Sequence, residues 1–167
     1  MVWLIGNKGM LGTEIERQLA EKGLAAVGSD REVDITSEGA VLEFAKEHKP
    51  DWIINCAAYT AVDKAEDDRE LAALLNAMGP LNIAKAAKAV GTKLVHISTD
   101  YVFDGTGAVP YTEDMPVKPD SVYGVTKAEG EANVRAMLPE ASWIFRTAWL
   151  YGFDGKNFVY TMTRATD

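Results

Sequence analysis

Val2-Trp3-Leu4-Ile5-Gly6-Asn7-Lys8-Gly9-Met10-Leu11-Gly12 is the stretch that decides the fold. Its first four residues read as a short buried strand. Three glycines at three-residue spacing then make a turn, and from Thr13 to Leu19 the chain takes up helical spacing, with Ile15 and Leu19 on one face with Met10 or Leu11. Strand, glycine turn and helix in this order make a phosphate-binding unit. Glycines let the backbone turn tightly and come close to a pyrophosphate, and the helix N-terminus offers free N–H groups and a positive dipole end. The spacing is G-x-x-G-x-x-G rather than the more familiar G-x-G-x-x-G, so the flanking elements, not the glycines alone, argue against an ordinary glycine-rich connection.

Outward from that stretch, strand and helix alternate. Strands are expected near 2–6, 24–28, 52–56, 93–98 and 142–147, and helices near 10–22, 37–48, 67–90 and 121–138. Pro50, Gly91 and Pro139 fall just after helical segments, where breakers belong. The pattern predicts an α/β fold: a Rossmann-type, doubly wound parallel sheet with helices on both faces. A single NAD(P)-binding domain over residues 1–167 is expected. Residues 101–120 carry Gly105, Gly107, Pro110, Pro116 and Pro119 and read as a loop, placed to face a substrate if it lies at the carboxyl ends of the strands. After the fifth strand, Trp149-Leu150-Tyr151-Gly152 and Asn157-Phe158-Val159-Tyr160 lead into a helix expected to run to Asp167.

Composition bounds the chemistry. The 167 residues are 47% hydrophobic and 25% charged with a net charge of −8, and no run of Lys or Arg makes a phosphate-tracking stripe, so nucleic acid is not an expected partner. No stretch has the apolar length of a signal peptide or a membrane span, and the single Cys56 has no internal disulfide partner; a cytoplasmic protein without a membrane partner is expected. Cys56 follows the apolar Trp52-Ile53-Ile54-Asn55 and reads as a small buried thiol. His48 stands at a polar helix end, and His96, in Lys93-Leu94-Val95-His96-Ile97, reads as a hydrogen-bonded strand residue. Neither has partners at metal-ligand spacing, and no metal site is assigned.

Tyr123-Gly124-Val125-Thr126-Lys127 opens the helix near 121–138 and puts a phenol and an ammonium four residues apart on one face. A cation there can lower the phenol's pKa and make it a usable proton donor. The pairing is equally at home on a solvated helix face. Its company sharpens it: the glycine turn and the Ser98-Thr99-Asp100 cluster that ends an apolar strand.

Taken together, Gly6-x-x-Gly9-x-x-Gly12, the block Asn55-Cys56-Ala57-Ala58-Tyr59-Thr60-Ala61-Val62-Asp63-Lys64-Ala65-Glu66, the block Ser98-Thr99-Asp100-Tyr101-Val102-Phe103-Asp104-Gly105, and Tyr123-x-x-x-Lys127 resemble the extended short-chain dehydrogenases. More narrowly, the two blocks resemble the dTDP-4-dehydrorhamnose reductase family. The resemblance covers essentially the whole chain, but proteins of that family are longer, and the portion that supplies much of their nucleotide-sugar pocket is expected to be absent here. It implies NAD(P)H-dependent reduction of the 4-keto group of a dTDP-sugar. Tyr123 would give the proton, Lys127 would bond the nicotinamide ribose and tune the phenol, and Thr99 would polarise the carbonyl. Asp100 and Trp149 match substrate-contacting positions.

The resemblance further implies a cofactor cradle of Gly6, Gly9, Met10, Leu11 and Gly12, with Asp34 and Ile35 toward the adenine and Ala57, Ala58, Tyr59 and Thr60 near the ribose. Asp30-Arg31 ends the second strand, where a carboxylate suits the free 2′-hydroxyl of NADH and a guanidinium suits the 2′-phosphate of NADPH; NADPH is expected, with NADH admitted. Some members use Mg²⁺, toward which Glu14 is the one candidate, although a lone carboxylate on a helix is ordinarily just solvated. A nucleotide-sugar substrate is the implied partner, and a homodimer stays open. A non-catalytic NADP-binding regulatory subunit and a nucleotide-sugar epimerase or dehydratase are the alternatives. The intact Thr99, Tyr123 and Lys127 set argues against the first, and the residues after Thr99 argue against the second.

Overall fold

The computed structural model describes residues 1–165. Five strands, β1 (Val2–Ile5), β2 (Ala26–Ser29), β3 (Trp52–Asn55), β4 (Lys93–Thr99) and β5 (Ser142–Thr147), form one sheet in the order β2-β1-β3-β4-β5, every neighbouring pair parallel. β2 lies on one side of β1 and the later strands on the other. The chain therefore reverses its winding between β1 and β3, and a crevice opens at their carboxyl ends.

Between the strands run α1 (Met10–Glu21), α2 (Glu38–His48), α3 (Arg69–Ala73), α4 (Gly79–Val90) and α5 (Val122–Met137); α6 (Phe158–Ala165) follows β5. Ser37 and Ser121 cap α2 and α5, accepting bonds from the amides of Ala40 and Gly124. The expected strand near 24–28 begins two residues later, and the last two residues of the helix expected to reach Asp167 lie outside those described. The single helix expected over 67–90 is three pieces: α3, a wide π turn at Leu74–Met78, and α4. Pro80 has no N–H to return to the Asn76 carbonyl, so the ordinary helical bond cannot form there.

The hydrophobic core lies on one face of the sheet. Trp3, Ile5, Ile53 and Leu94 from the strands meet Val41 and Ala45 of α2, Ile83 and Ala87 of α4, and Val134 and Leu138 at the end of α5. On the opposite face, right-handed crossover places α1 over β1 and β2, where Leu4 is fully buried. Register aligns Leu4 with Ile54, Val95 and Trp143 in one row across that face. Toward β5 the face is open: Trp143 is 43% and Phe145 53% exposed. Trp52 and Trp143 touch each other there with centroids 5.1 Å apart, and the Lys93 ammonium sits 5.0 Å from the Trp52 ring. Helices thus lie on both faces, unequally. Among the described residues no helix is long and apolar enough to cross a membrane.

Candidate active site

A cleft of about 800 Å³ opens at the carboxyl ends of the strands, where the winding reverses. Its floor is the glycine turn. Gly6 has a φ of +78°, and a Cβ there would stand 2.8 Å from the Ala57 amide nitrogen; a Cβ on Gly12 would stand 2.1 Å from the Gly6 carbonyl oxygen. These two positions admit only glycine if α1 is to start directly against the end of β1. Gly9 is the N-cap of α1 and supplies no side-chain cap, and the first turn of α1 carries no acid. Gly9, Met10, Leu11 and Gly12 line the cleft, so a helix N-terminus with unsatisfied amides opens into it. That arrangement suits an anionic group such as a pyrophosphate.

Asp30, Arg31, Asp34 and Ile35 line one flank, and Ala57, Ala58 and Thr60 the strand-three side. Arg31 is exposed and makes no ion pair among the described residues, whereas its neighbour Glu32 pairs with Lys8. Tyr59 is the exception among the expected cofactor residues. It does not line the cleft: its phenol donates to Asp68 at 2.8 Å, and its backbone is clamped at both ends by the Asn76 amide, at 2.9 and 3.1 Å. Glu14 also lies elsewhere, its carboxylate taken by Arg17 and Gln18. Among the described residues no three metal-ligating side chains gather.

Thr99, Asp100, Tyr123, Lys127 and Trp149 all line the same cleft. Thr99 ends β4, where its hydroxyl accepts from the Tyr101 amide at 3.2 Å and donates to Asp100 at 3.0 Å. Tyr123 and Lys127 lie one turn apart near the start of α5, both buried. Their electrostatics differ from the expectation that Lys127 pulls the phenol pKa down. Burial raises the Tyr123 pKa, the Thr99 hydroxyl partly offsets that, and Asp100 and Tyr101 add to the rise. Lys127 instead donates to the Ile97 carbonyl at 2.7 Å, and burial pushes its pKa down to about 8. The phenol keeps its proton, and the ammonium is the group poised near neutrality. Of the loop over residues 101–120, Tyr101 alone reaches the cleft; Asp104 ties much of the rest through Thr106 and Lys118. Trp149, 75% exposed, sits at the rim with a left-handed φ of +53° and packs edge-on against Phe158.

Several contributors carry no motif. Asn76 sits on the π turn and, besides clamping Tyr59, donates to the Thr126 hydroxyl at 3.2 Å, so it ties the strand-three loop to the Tyr-Lys helix. Asn55 accepts from the Ala57 amide, which orients its NH₂ toward His96 Nδ1 at 3.1 Å. His96 is fully buried and burial lowers its pKa to about 3, so it is neutral and its proton sits on Nε2. Burial also pushes the Cys56 thiol up to about 12, leaving it a thiol at any working pH. The pattern that could have revealed Asn76 is Asn followed by Gly79-Pro80, an interrupted helix pointing a polar side chain inward.

Fold and site together define a Rossmann-type doubly wound α/β protein with a tyrosine–lysine pair beside a glycine-floored cleft. The chain belongs to the family of the RmlD substrate binding domain, which it matches over residues 1–167. It is 48% identical over 164 residues to dTDP-4-dehydrorhamnose reductase of Streptomyces griseus, covering 97% of this chain and 54% of that protein. A solved dTDP-4-dehydrorhamnose reductase from Clostridium acetobutylicum superposes with a TM-score of 0.95 at 50% identity, over 98% of this chain and 58% of that one. The enzyme of the same name from Bacillus anthracis, solved in complex with NADP, gives a TM-score of 0.94 at 42% identity, again over 98% and 58%. The chain thus spans little more than half the length of the relatives it matches.

Proposed function

We propose that residues 1–167 are the NAD(P)-binding domain of a cytoplasmic reductase that converts the 4-keto group of dTDP-4-dehydro-L-rhamnose to the hydroxyl of dTDP-L-rhamnose, in nucleotide-sugar supply for cell-surface polysaccharide. The nucleotide-sugar pocket then draws on further length of the kind the relatives carry. One observation carries this reading: Thr99, Tyr123 and Lys127 converge on the cleft whose floor is the uncapped first turn of α1. Gly9, Met10 and Leu11 would hold the pyrophosphate and Asp34 and Ile35 the adenine side. Arg31, with no carboxylate partner, favours the 2′-phosphate of NADPH, while Asp30 beside it admits NADH.

When bound, the nicotinamide supplies the hydride. The chain's part is to orient the carbonyl and protonate its oxygen. The raised Tyr123 pKa means the phenol is loaded with the proton that the nascent alkoxide needs, and Thr99 steadies that oxygen by a hydrogen bond. Lys127, charged at neutral pH, places a cation beside the developing negative charge.

Calorimetric titration of NADPH into the chain, with keto-sugar reduction followed in parallel in a form that carries the further length, tests the reading. NADPH should bind, and Tyr123→Phe should bind it within about twofold of the parent while reduction falls by about 10² to 10⁴. No heat of NADPH binding, or unchanged reduction in the Tyr123→Phe protein, overturns it.

A further inference from the structure

Among the described residues, Lys127 and Glu131 are the two charged side chains buried from solvent, and they stand one turn apart on α5. Nothing in the reductase chemistry above uses Glu131, yet its carboxylate is saturated. Oε1 accepts from the Ser98 hydroxyl at 2.6 Å and from Arg146 Nε at 2.9 Å; Oε2 accepts from Arg146 Nη2 at 2.7 Å and from Arg135 at 3.1 Å. Ser98 and Arg146 are register partners on β4 and β5, one residue before the aligned pair Thr99 and Thr147. The Thr147 hydroxyl in turn donates to the Ser98 carbonyl at 3.1 Å. Arg146 also covers the Phe103 ring at 4.9 Å, which joins the same cluster to the start of the loop after β4.

We infer that Glu131 is a positioning residue for the proposed reductase site: its buried carboxylate pins the ends of β4 and β5 to α5 and supplies the negative charge that keeps the Lys127 side chain an ammonium. The inference rests on the reading of Lys127 given above. The other groups around Lys127 cannot supply that charge. Just after β3 Cys56 is a neutral thiol, from β4 His96 is a neutral imidazole, and on α5 Tyr123 is a neutral phenol. Asp100 accepts from Thr99 and has no resolved influence on Lys127, and Arg146 and Arg135 are cations paired with Glu131. Burial works against the ammonium, and Glu131, one turn along α5, is the largest opposing influence, ahead of Cys56.

The test reads Lys127 directly, without cofactor, in protein carrying ¹³C at lysine Cε, with the Lys127 signal identified by its loss in Lys127→Arg. In Glu131→Gln, which keeps the shape and removes the charge, the Lys127 titration should move down by about 1–3 pH units. In Arg135→Ala, a largely exposed change, it should move up. If Glu131→Gln does not fold, the Arg135→Ala result decides alone. A Lys127 midpoint unchanged in every folded variant overturns the inference. Because no ligand is present, that failure is distinct from a failure to bind NADPH, which would overturn the functional reading instead.

Discussion

The two faces of the sheet share five strands and differ in almost everything else. On one, α2, α4 and α5 bury Ile53 and Leu94 completely and also bury bonded polar groups: Asn55 orients His96, Asn76 clamps a loop, and Glu131 gathers three partners. On the other, α1 covers β1 and β2, while Trp143 and Phe145 meet no covering element among the described residues. Parallel sheets are ordinarily covered on both sides, because every strand offers apolar side chains in both directions. The site belongs to the finished face. Tyr123, Lys127 and Glu131 all come from α5, whose position is fixed by packing at its far end through Val134 and Leu138. The cleft side chains of α5 are thus set mainly from the finished face, with β5 tied to them through Arg146.

That contrast can be broken by measuring stability. Leu94→Ala, on the finished face, should lower the unfolding free energy by about 2–5 kcal/mol, the range for a buried leucine left with a cavity; chemical denaturation reads it, and a loss below about 1 kcal/mol would mean the face is not well packed. A smaller effect should come from pH. His96 has a folded pKa of about 3 against an ordinary 6.5, so the unfolded chain binds the extra proton first as pH falls. Its contribution is fully present above about pH 6.5 and is lost between there and pH 3, at up to about 1.4 kcal/mol per pH unit. His96→Gln should flatten the stability profile over that window; an equally steep profile would show that other groups set it. The smallest effect belongs to the open face. Phe145→Ala should change stability by no more than about 0.5 kcal/mol, the scale of surface substitutions. A cost equal to that of Leu94→Ala would erase the distinction between the faces.

Much of this was legible in the chain. The eleven residues from Val2 to Gly12 carried strand, turn and helix because glycine spacing and apolar spacing agree there, and the alternation of strands and helices carried the parallel sheet. Tyr123 and Lys127 were legible because a helix places i and i+4 on one face. Residues whose roles come from contacts made far along the sequence were not. Asn76 meets Tyr59 across 17 positions and Thr126 across 50, and Glu131 meets Ser98 across 33; only the packed fold creates these pairs. That Tyr59 turns its phenol to Asp68 rather than to the cleft was hidden for the same reason, since Asp68 is nine positions on. The direction of the Tyr123 pKa was unreadable because it depends on burial, and a helical repeat says nothing of how deep a side chain will lie.

The placement of the indoles gives the molecule a built-in optical map. Of the four tryptophans, Trp3 is sealed in the core with its N–H bonded to Ser29 at 2.8 Å, Trp52 and Trp143 lie together on the open face, and Trp149 stands at the cleft rim. They therefore sample three different environments, and their emission colours and access to a dissolved quencher should differ accordingly. A ligand that fills the cleft would meet Trp149 at its rim and alter its emission, while shielding of Trp52 and Trp143 would register anything that settles on the open face. Filling of the cleft and covering of the sheet are thus separable by light alone, one tryptophan at a time.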